Sequence, residues 1–341
     1  MANQVINMVT LLRTINKIKA LLDERAPIDH EHNIFDIELP EGVNIYYNPN
    51  LLRNWDMTKI VNQQKQQVYT TSGYSIDMWF SGADGITHSI ESGCLVVSRD
   101  AGSQDTVQPT FCQFIEHPEQ LSGRKLTFSA KFHDLVDHPI EIGSNSLALR
   151  FDMSQVNGNP IVFESTCEVE DLVISTTIEV PPIDITDIIV SLVMRNPAGI
   201  EPFQYCLQRI KLEVGSMNTL ELDPPINYAD ELMRCQRFFI RIGGIAIKKI
   251  GIGFWLDNAN FVCTIPLGIQ MAMTPRVITS TPLSNLTIQA PGNNYVAITD
   301  VSVDSISDNG ITLNIRANGN RGDSGILRLI NNAYVDLDAT P

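Results

Sequence analysis

The strongest constraint on this chain is a rhythm of short apolar or alternating stretches broken by turn residues. Between residues 50 and 222 it reads "CLVVS", "KLTFSAKFH", "SLALRFDM", "LVISTTIEV", "DIIVSLVM" and "CLQRIKLEV". Each has strand length, and Gly, Pro, Asn and Asp fill the gaps, a spacing that predicts a β-sandwich. The rhythm returns near residue 239 with "FFIRIGGIAI", "FVCTIPLGI", "RVITSTPL", "YVAITDVSV", "ITLNIRA" and "GILRLI". Hairpin-type turns are expected at "DNG" 308–310, "NGN" 318–320 and "RGD" 321–323. Between the two β regions lies "PPINYADELMRCQRFFIR". Pro224 and Pro225 stop the preceding strand. Asp230 and Glu231 open a short helix that runs through Met233 and Cys235 to Phe238, with Arg234 and Arg237 late, as the helix dipole favours.

The N-terminal segment has a different period. Met8, Leu11, Ile15, Ile18 and Leu22 are spaced 3, 4, 3, 4, a heptad seam on a helix predicted over residues 3–24. Such a helix is roughly 33 Å long at 1.5 Å per residue. Alone it is marginal, and no helix follows for it to pack on, so self-association is expected. Pro27 ends it. Next comes "PIDHEHNIFDI", where His30 and His32 stand two apart and share one side of any extended segment. Residues 34–49 read as an extended linker.

Composition removes several functions. Of 341 residues 43% are hydrophobic and only 18% charged, and the formal net charge is -15. No basic run offers a surface for nucleic-acid phosphates. No stretch of ~18 apolar residues is present, so no membrane insertion is expected. The N-terminus lacks a basic region, an apolar core and a small-residue cleavage site, so no signal peptide is expected. Cys94, Cys112, Cys167, Cys206, Cys235 and Cys263 are scattered without zinc-type spacing. They are expected to be buried free thiols, as in a chain folded in a reducing cytoplasm, with disulfides the other reading.

Motifs for catalysis are missing: no GxSxG, HExxH, Walker loop or helix-opening GxGxxG occurs. His88, His117, His133 and His138 are isolated in polar segments and read as surface residues. Trp79 reads as core, and the "RGD" tripeptide as a turn. The expectation is a protein that is not an enzyme, with no catalytic residues.

Several segments resemble a bacteriophage tail-fibre and tail-appendage family. "NLLRNWDM" at 50–57 and "VNQQKQQVYTTSGYSIDMW" at 61–79 are similar to its opening motif, through Asn54, Asp56, Asn62, Gln63, Gly73, Tyr74, Ile76, Asp77 and Trp79. Met57 and Met78 depart from it. "FIEHPEQLSGRKLTFSAKF" at 114–132 resembles a strand pair shared with jelly-roll carbohydrate-binding modules. "IKLEVGSMNTL" followed by "YADELMRCQRFF" resembles the K-L-E-x-G-S closing strand and the helix after it, and "MAMTPRV" at 271–277 a strand of the C-terminal domain. Together these segments cover about residues 50–280.

The resemblance implies a mainly β chain in four parts: an N-terminal coiled-coil-like helix with its His-x-His junction (1–33), a linker (34–49), a jelly-roll β-sandwich (50–222), and a linker helix with a C-terminal β-sandwich knob (223–341). It implies a homotrimer, docked to phage tail or baseplate proteins through the N-terminus. "HEHNIFDI" is similar to fibre-shaft segments. On a threefold axis His30 and His32 of three copies would supply six nitrogens, a set for iron or nickel rather than tetrahedral zinc; the other reading is an interchain His pair without metal. The function implied is a virion protein, made in the host cytoplasm, that attaches a phage by multivalent contact with host cell-surface polysaccharide. "PGNNY" (Asn293, Asn294, Tyr295) and "NNAY" (Asn331, Asn332, Tyr334) are candidate sugar loops, since they combine aromatic faces with amide hydrogen-bonding groups. The same loops also read as ordinary turns. A structural adaptor or decoration protein, and a glycan-degrading tail protein, are the alternatives.

Overall fold

The computed structural model describes residues 48–341, except 71, 92, 101–103, 135–139, 157, 168–171, 244–246, 273–274, 280–282, 308–309, 332 and 340–341. The heptad residues Met8, Leu11, Ile15, Ile18 and Leu22, and the pair His30 and His32, lie outside the described residues.

The first β region holds twelve strands: β1 (Val68–Tyr69), β2 (Gly73–Tyr74), β3 (Phe80–Ser81), β4 (Thr87–Glu91), β5 (Cys94–Arg99), β6 (Val107–Phe114), β7 (Lys125–Phe132), β8 (Ser146–Gln155), β9 (Ile161–Cys167), β10 (Val173–Glu179), β11 (Ile185–Arg195) and β12 (Phe203–Val214). They form two six-stranded antiparallel sheets, ordered β1-β4-β5-β12-β7-β10 and β2-β3-β6-β11-β8-β9. Apart from the hairpins β2–β3, β4–β5 and β8–β9, successive strands pass between the sheets, and the alternation along each strand sends one face into a shared core. Phe128, Phe132, Phe151, Leu192 and Ile210 fill it. Trp79 is buried there as expected, its ring 4.1 Å from that of Phe111 and nearly parallel.

The motif residues of the opening segment hold this core shut. Asn54, at a left-handed φ of 52°, donates through Nδ2 to the carbonyls of Val61 (2.8 Å) and Asp77 (2.9 Å), and its Oδ1 accepts from Val61 N (2.7 Å). Asp56 caps the turn at Thr58, and Asn62 accepts from the Tyr69 hydroxyl (2.6 Å). Beside this segment, on β12, the K-L-E residues build a buried ionic cluster. Lys211 is fully buried against Asp223 and the Thr219 hydroxyl (2.8 Å), while Glu213 accepts both the Thr219 amide (2.7 Å) and its hydroxyl (2.5 Å). Burial lifts the Asp223 carboxyl to about 6.

Helix α1 (Tyr228–Gln236) begins two residues earlier than the sequence suggests, because the Asn227 side chain caps Ala229 N. It belongs to the sandwich as well as linking it onward. Glu231 accepts from Asn54 N, and Cys235 and the following Phe238 enter the sandwich core.

The second β region comprises β13 (Phe239–Gly243), β14 (Ile247–Trp255), β15 (Asn260–Pro266), β16 (Arg276–Thr279), β17 (Leu286–Gln289), β18 (Tyr295–Ala297), β19 (Asp300–Ser307), β20 (Gly310–Arg316), β21 (Ser324–Ile330) and β22 (Tyr334–Asp338). A three-stranded sheet, β13-β22-β16, and a seven-stranded sheet, β18-β17-β21-β14-β15-β20-β19, bury Trp255, Phe261, Leu313, Leu327 and Leu337. The expected single strand "FFIRIGGIAI" is two strands in different sheets, the first ending at Gly243 and the second starting at Ile247. The turn holding "RGD" is pinned to the core: Trp255 N donates to Asp323 O (3.0 Å) and Gly322 N to Trp255 O (2.8 Å). Gly319 lies flat on the Trp255 indole, where a Cβ would stand 2.2 Å from the ring.

Two expectations are corrected. Cys94 and Cys206 form a disulfide rather than free thiols. The register that pairs Cys206 with Val96 sets them diagonally on β12 and β5, with Cα atoms 6.0 Å apart, within bridging range. Cys112, Cys235 and Cys263 are free and buried as expected. His88 is core, not surface: its ring lies between the Ser75 hydroxyl (2.7 Å) and Thr110 O (2.8 Å), edge-on to Phe111. Burial lowers its pKa to about 4, so it is held neutral. His117 is exposed as expected, beside Glu119.

Candidate functional site

The outer face of the β2-β3-β6-β11-β8-β9 sheet carries an unusual row. Register pairs Tyr74 with Phe80, Phe80 with Cys112, Cys112 with Ser191, Ser191 with Arg150, and Arg150 with Glu164. Directly paired residues share a face, so these six side chains cross the whole sheet in one line. A second line beside it runs Phe114, Ile189, Asp152, Val162.

One edge is aromatic. The Phe80 ring lies 5.6 Å from that of Tyr74 and 5.5 Å from that of Phe114, and all three are half-buried. The opposite edge is ionic. Arg150 holds Asp152 through Nε (2.9 Å) and Nη2 (2.6 Å), and Arg195 donates to Glu164, which also lies 3.9 Å from Arg150. These bonds raise both guanidinium pKa values, Arg150 through Asp152 and Arg195 through Glu164. Forked guanidinium–carboxylate pairs are geometrically fixed, so the ionic edge is preorganised.

Between the edges the side chains are short. Cys112 and Ser191 are each 1% exposed, floored between Phe80 and Arg150, and Ala148 and Val193 continue the floor. Gly82 lets β3 close on β6: a Cβ there would meet Pro109 Cβ at 2.9 Å. The result is a row six strands wide, roughly 24 Å at 4.8 Å per strand, whose middle is closed to solvent and whose two edges are accessible. Cys112 is no nucleophile, because burial pushes its thiol up to about 11.

Such a surface suits a flat ligand with an apolar face and a polar rim. Aromatic rings accept the first, and the Arg150–Asp152–Glu164 group exchanges hydrogen bonds with the second. Among the described residues no group of three or more His, Cys, Asp or Glu is placed to hold a metal ion.

The sugar loops read from the sequence do not converge. Asn293, Asn294 and Tyr295 lie at the β17–β18 turn; Tyr295 is exposed, with Arg328 over its ring at 5.0 Å, and Gln289 donates to Asn293 Oδ1 (2.9 Å). Asn331, at the other end of β17, donates to Asn285 Oδ1 (3.1 Å). Asn332 is outside the described residues. Tyr334 faces the junction with the sandwich, under Arg241 at 3.7 Å. The row on the sandwich escaped sequence reading because its members lie at 74, 80, 112, 150, 164 and 191, brought together only by strand register.

The fold and the face together define a two-module β protein with an aromatic and ionic outer face on its first module. No family model matches the chain, and no curated protein matches it. Among solved structures it is similar to the N-terminal CBM22-1-CBM22-2 tandem domain of Xyn10C from Paenibacillus barcinonensis, at 7% identity and a TM-score of 0.32, over 86% of this chain and 97% of that one. A likeness of that degree leaves the ligand to be argued from the face itself.

Proposed function

We propose that this chain is a virion tail-fibre or receptor-binding protein that attaches a phage to its bacterial host by binding surface glycan on the outer face of the sandwich. The observation that carries the reading is the line from Tyr74 and Phe80 across Cys112 and Ser191 to Arg150 and Glu164. A pyranose presents an apolar C–H face and an equatorial rim of hydroxyls, which match the aromatic and ionic edges in turn. The phage setting rests on the resemblance of the segments between 50 and 280. Three copies joined through the N-terminal heptads would turn weak single-site contacts into useful avidity.

The reading is of binding without turnover. Asp152 and Glu164, the carboxylates of the row, are engaged by Arg150 and Arg195, whereas glycoside hydrolysis needs one carboxyl kept protonated as an acid. The test is retention of the purified chain on host surface polysaccharide, with light scattering for its mass. Retention without release of reducing ends, from a trimer, is expected; a monomeric mass or no retention contradicts it.

One observation favours the adaptor reading. On the outer face of the seven-stranded sheet Ile252 is 72% exposed, with Phe254 and Tyr295 also exposed, as a protein-contacting surface would have them. Tight binding to another virion protein, with no glycan retention, would favour it.

A further inference from the structure

The outer face does not end at the row. Phe114 and Asp187, both on the outer face, also line a cavity of about 220 Å³ where the sandwich meets the end of helix α1. Glu116 and His117 form one wall, and Arg237 and Phe238 another. The volume is below the ~300–1,000 Å³ of a drug-sized pocket, which suits one sugar unit rather than a chain.

The charges in the cavity are unequal. Glu116 is neutralised on both sides, by Arg53 at 2.8 Å and Arg237 at 3.2 Å. Asp187 is half-buried, and its side chain makes no hydrogen bond or ion pair with the described residues. A carboxylate accepts hydrogen bonds and cannot donate them. It therefore selects a unit that brings donors, either hydroxyls or an ammonium, and repels one that brings a second carboxylate. Phe114 gives that unit an apolar wall continuous with the aromatic edge.

We propose that this cavity is the terminal subsite of the glycan face: it takes one neutral hexose or hexosamine end unit, received by Asp187, and rejects uronates. The inference rests on the glycan reading of the face. Arg237, the residue that caps helix α1, thus contributes to specificity by neutralising Glu116 in the cavity wall.

The probe is an array printed with oligosaccharides in matched sets that differ only in the terminal unit: hexose, hexosamine or uronate. The unmodified chain is expected to bind hexose- and hexosamine-ended members and to exclude the uronate-ended ones. Asp187→Asn should weaken hexosamine-ended members about tenfold, as loss of a charged hydrogen bond does, and should admit the uronate-ended ones. Phe80→Ala should weaken all sets together. If Asp187→Asn leaves the ranking of end units unchanged while Phe80→Ala abolishes binding, the subsite is wrong and the face stands. If the unmodified chain binds no member, both are wrong. Thermal melts of both variants confirm that each is folded.

Discussion

Two sets of residues in the sandwich differ in where they stand. The buried set, Asn54, Asp77, Lys211 and Glu213, with half-buried Gln63 beside it, closes the chain on itself. Gln63 shows the pattern: its side chain donates to Asp77 Oδ2 and to Phe239 O, both at 2.7 Å, tying the sandwich to the first strand of the second module. Arg241 makes the return link, donating to Gln64 O (2.9 Å) while forked on Asp336. The open set, Tyr74, Phe80, Arg150, Asp152 and Glu164, sits on an outer face with its aromatic rings half exposed. The buried set comes from segments that resemble tail-fibre motifs, whereas of the open set only Tyr74 does. Those motifs therefore report mainly how the scaffold closes, and the open face is built mostly from residues outside them.

Breaking the buried set should cost stability and leave the face intact. Lys211→Ala would strand Glu213 and Asp223 in a fully buried site, and should lower unfolding free energy by about 3–5 kcal/mol in urea titrations. A loss below 1 kcal/mol would mean the cluster is hydrated. Reducing Cys94–Cys206, which closes a span of 112 residues, should cost about 3–4 kcal/mol, read as a lower denaturation midpoint with dithiothreitol. A midpoint unchanged by reductant would mean that the two thiols are not bonded in solution.

The pH response sharpens the contrast, because two buried groups pull in opposite directions. His88 has a folded pKa of about 4, below its ordinary 6.5. Its contribution is complete above 6.5 and is lost as pH falls towards 4, about 3 kcal/mol at ~1.4 kcal/mol per unit. Burial raises Asp77 from 3.8 to about 7. The folded chain keeps a proton there that the unfolded chain has released, so this contribution is complete below about 4 and is lost as pH rises through 7. Asp77→Asn should therefore gain stability relative to the unmodified chain between pH 4 and pH 7. A constant difference between the two over that window would remove Asp77 from the account.

Legibility followed the same division. Alternation within single strands announced the β architecture, and the Pro pair with the acidic start of α1 marked the boundary. Trp79 was readable as core because one ring in an apolar strand has few other places to go. His88 was misread, since its partners Ser75 and Thr110 lie 13 and 22 residues away. The disulfide was hidden by a separation of 112 residues. The row on the sandwich face was hidden most deeply: each member looks like an ordinary outward residue until register aligns six strands. The "PGNNY" and "NNAY" loops had the right composition, but they stand at opposite ends of β17.

The most direct test sets the two modules against each other. Phe80→Ala on the sandwich face and Tyr295→Ala on the second module each remove one aromatic ring, and the affinity of each variant for host surface polysaccharide is measured by calorimetry. The account predicts that Phe80→Ala weakens binding at least about tenfold, or ~1.4 kcal/mol, while Tyr295→Ala leaves it unchanged. Loss of binding in Tyr295→Ala with full binding in a folded Phe80→Ala would contradict it and move recognition to the C-terminal module.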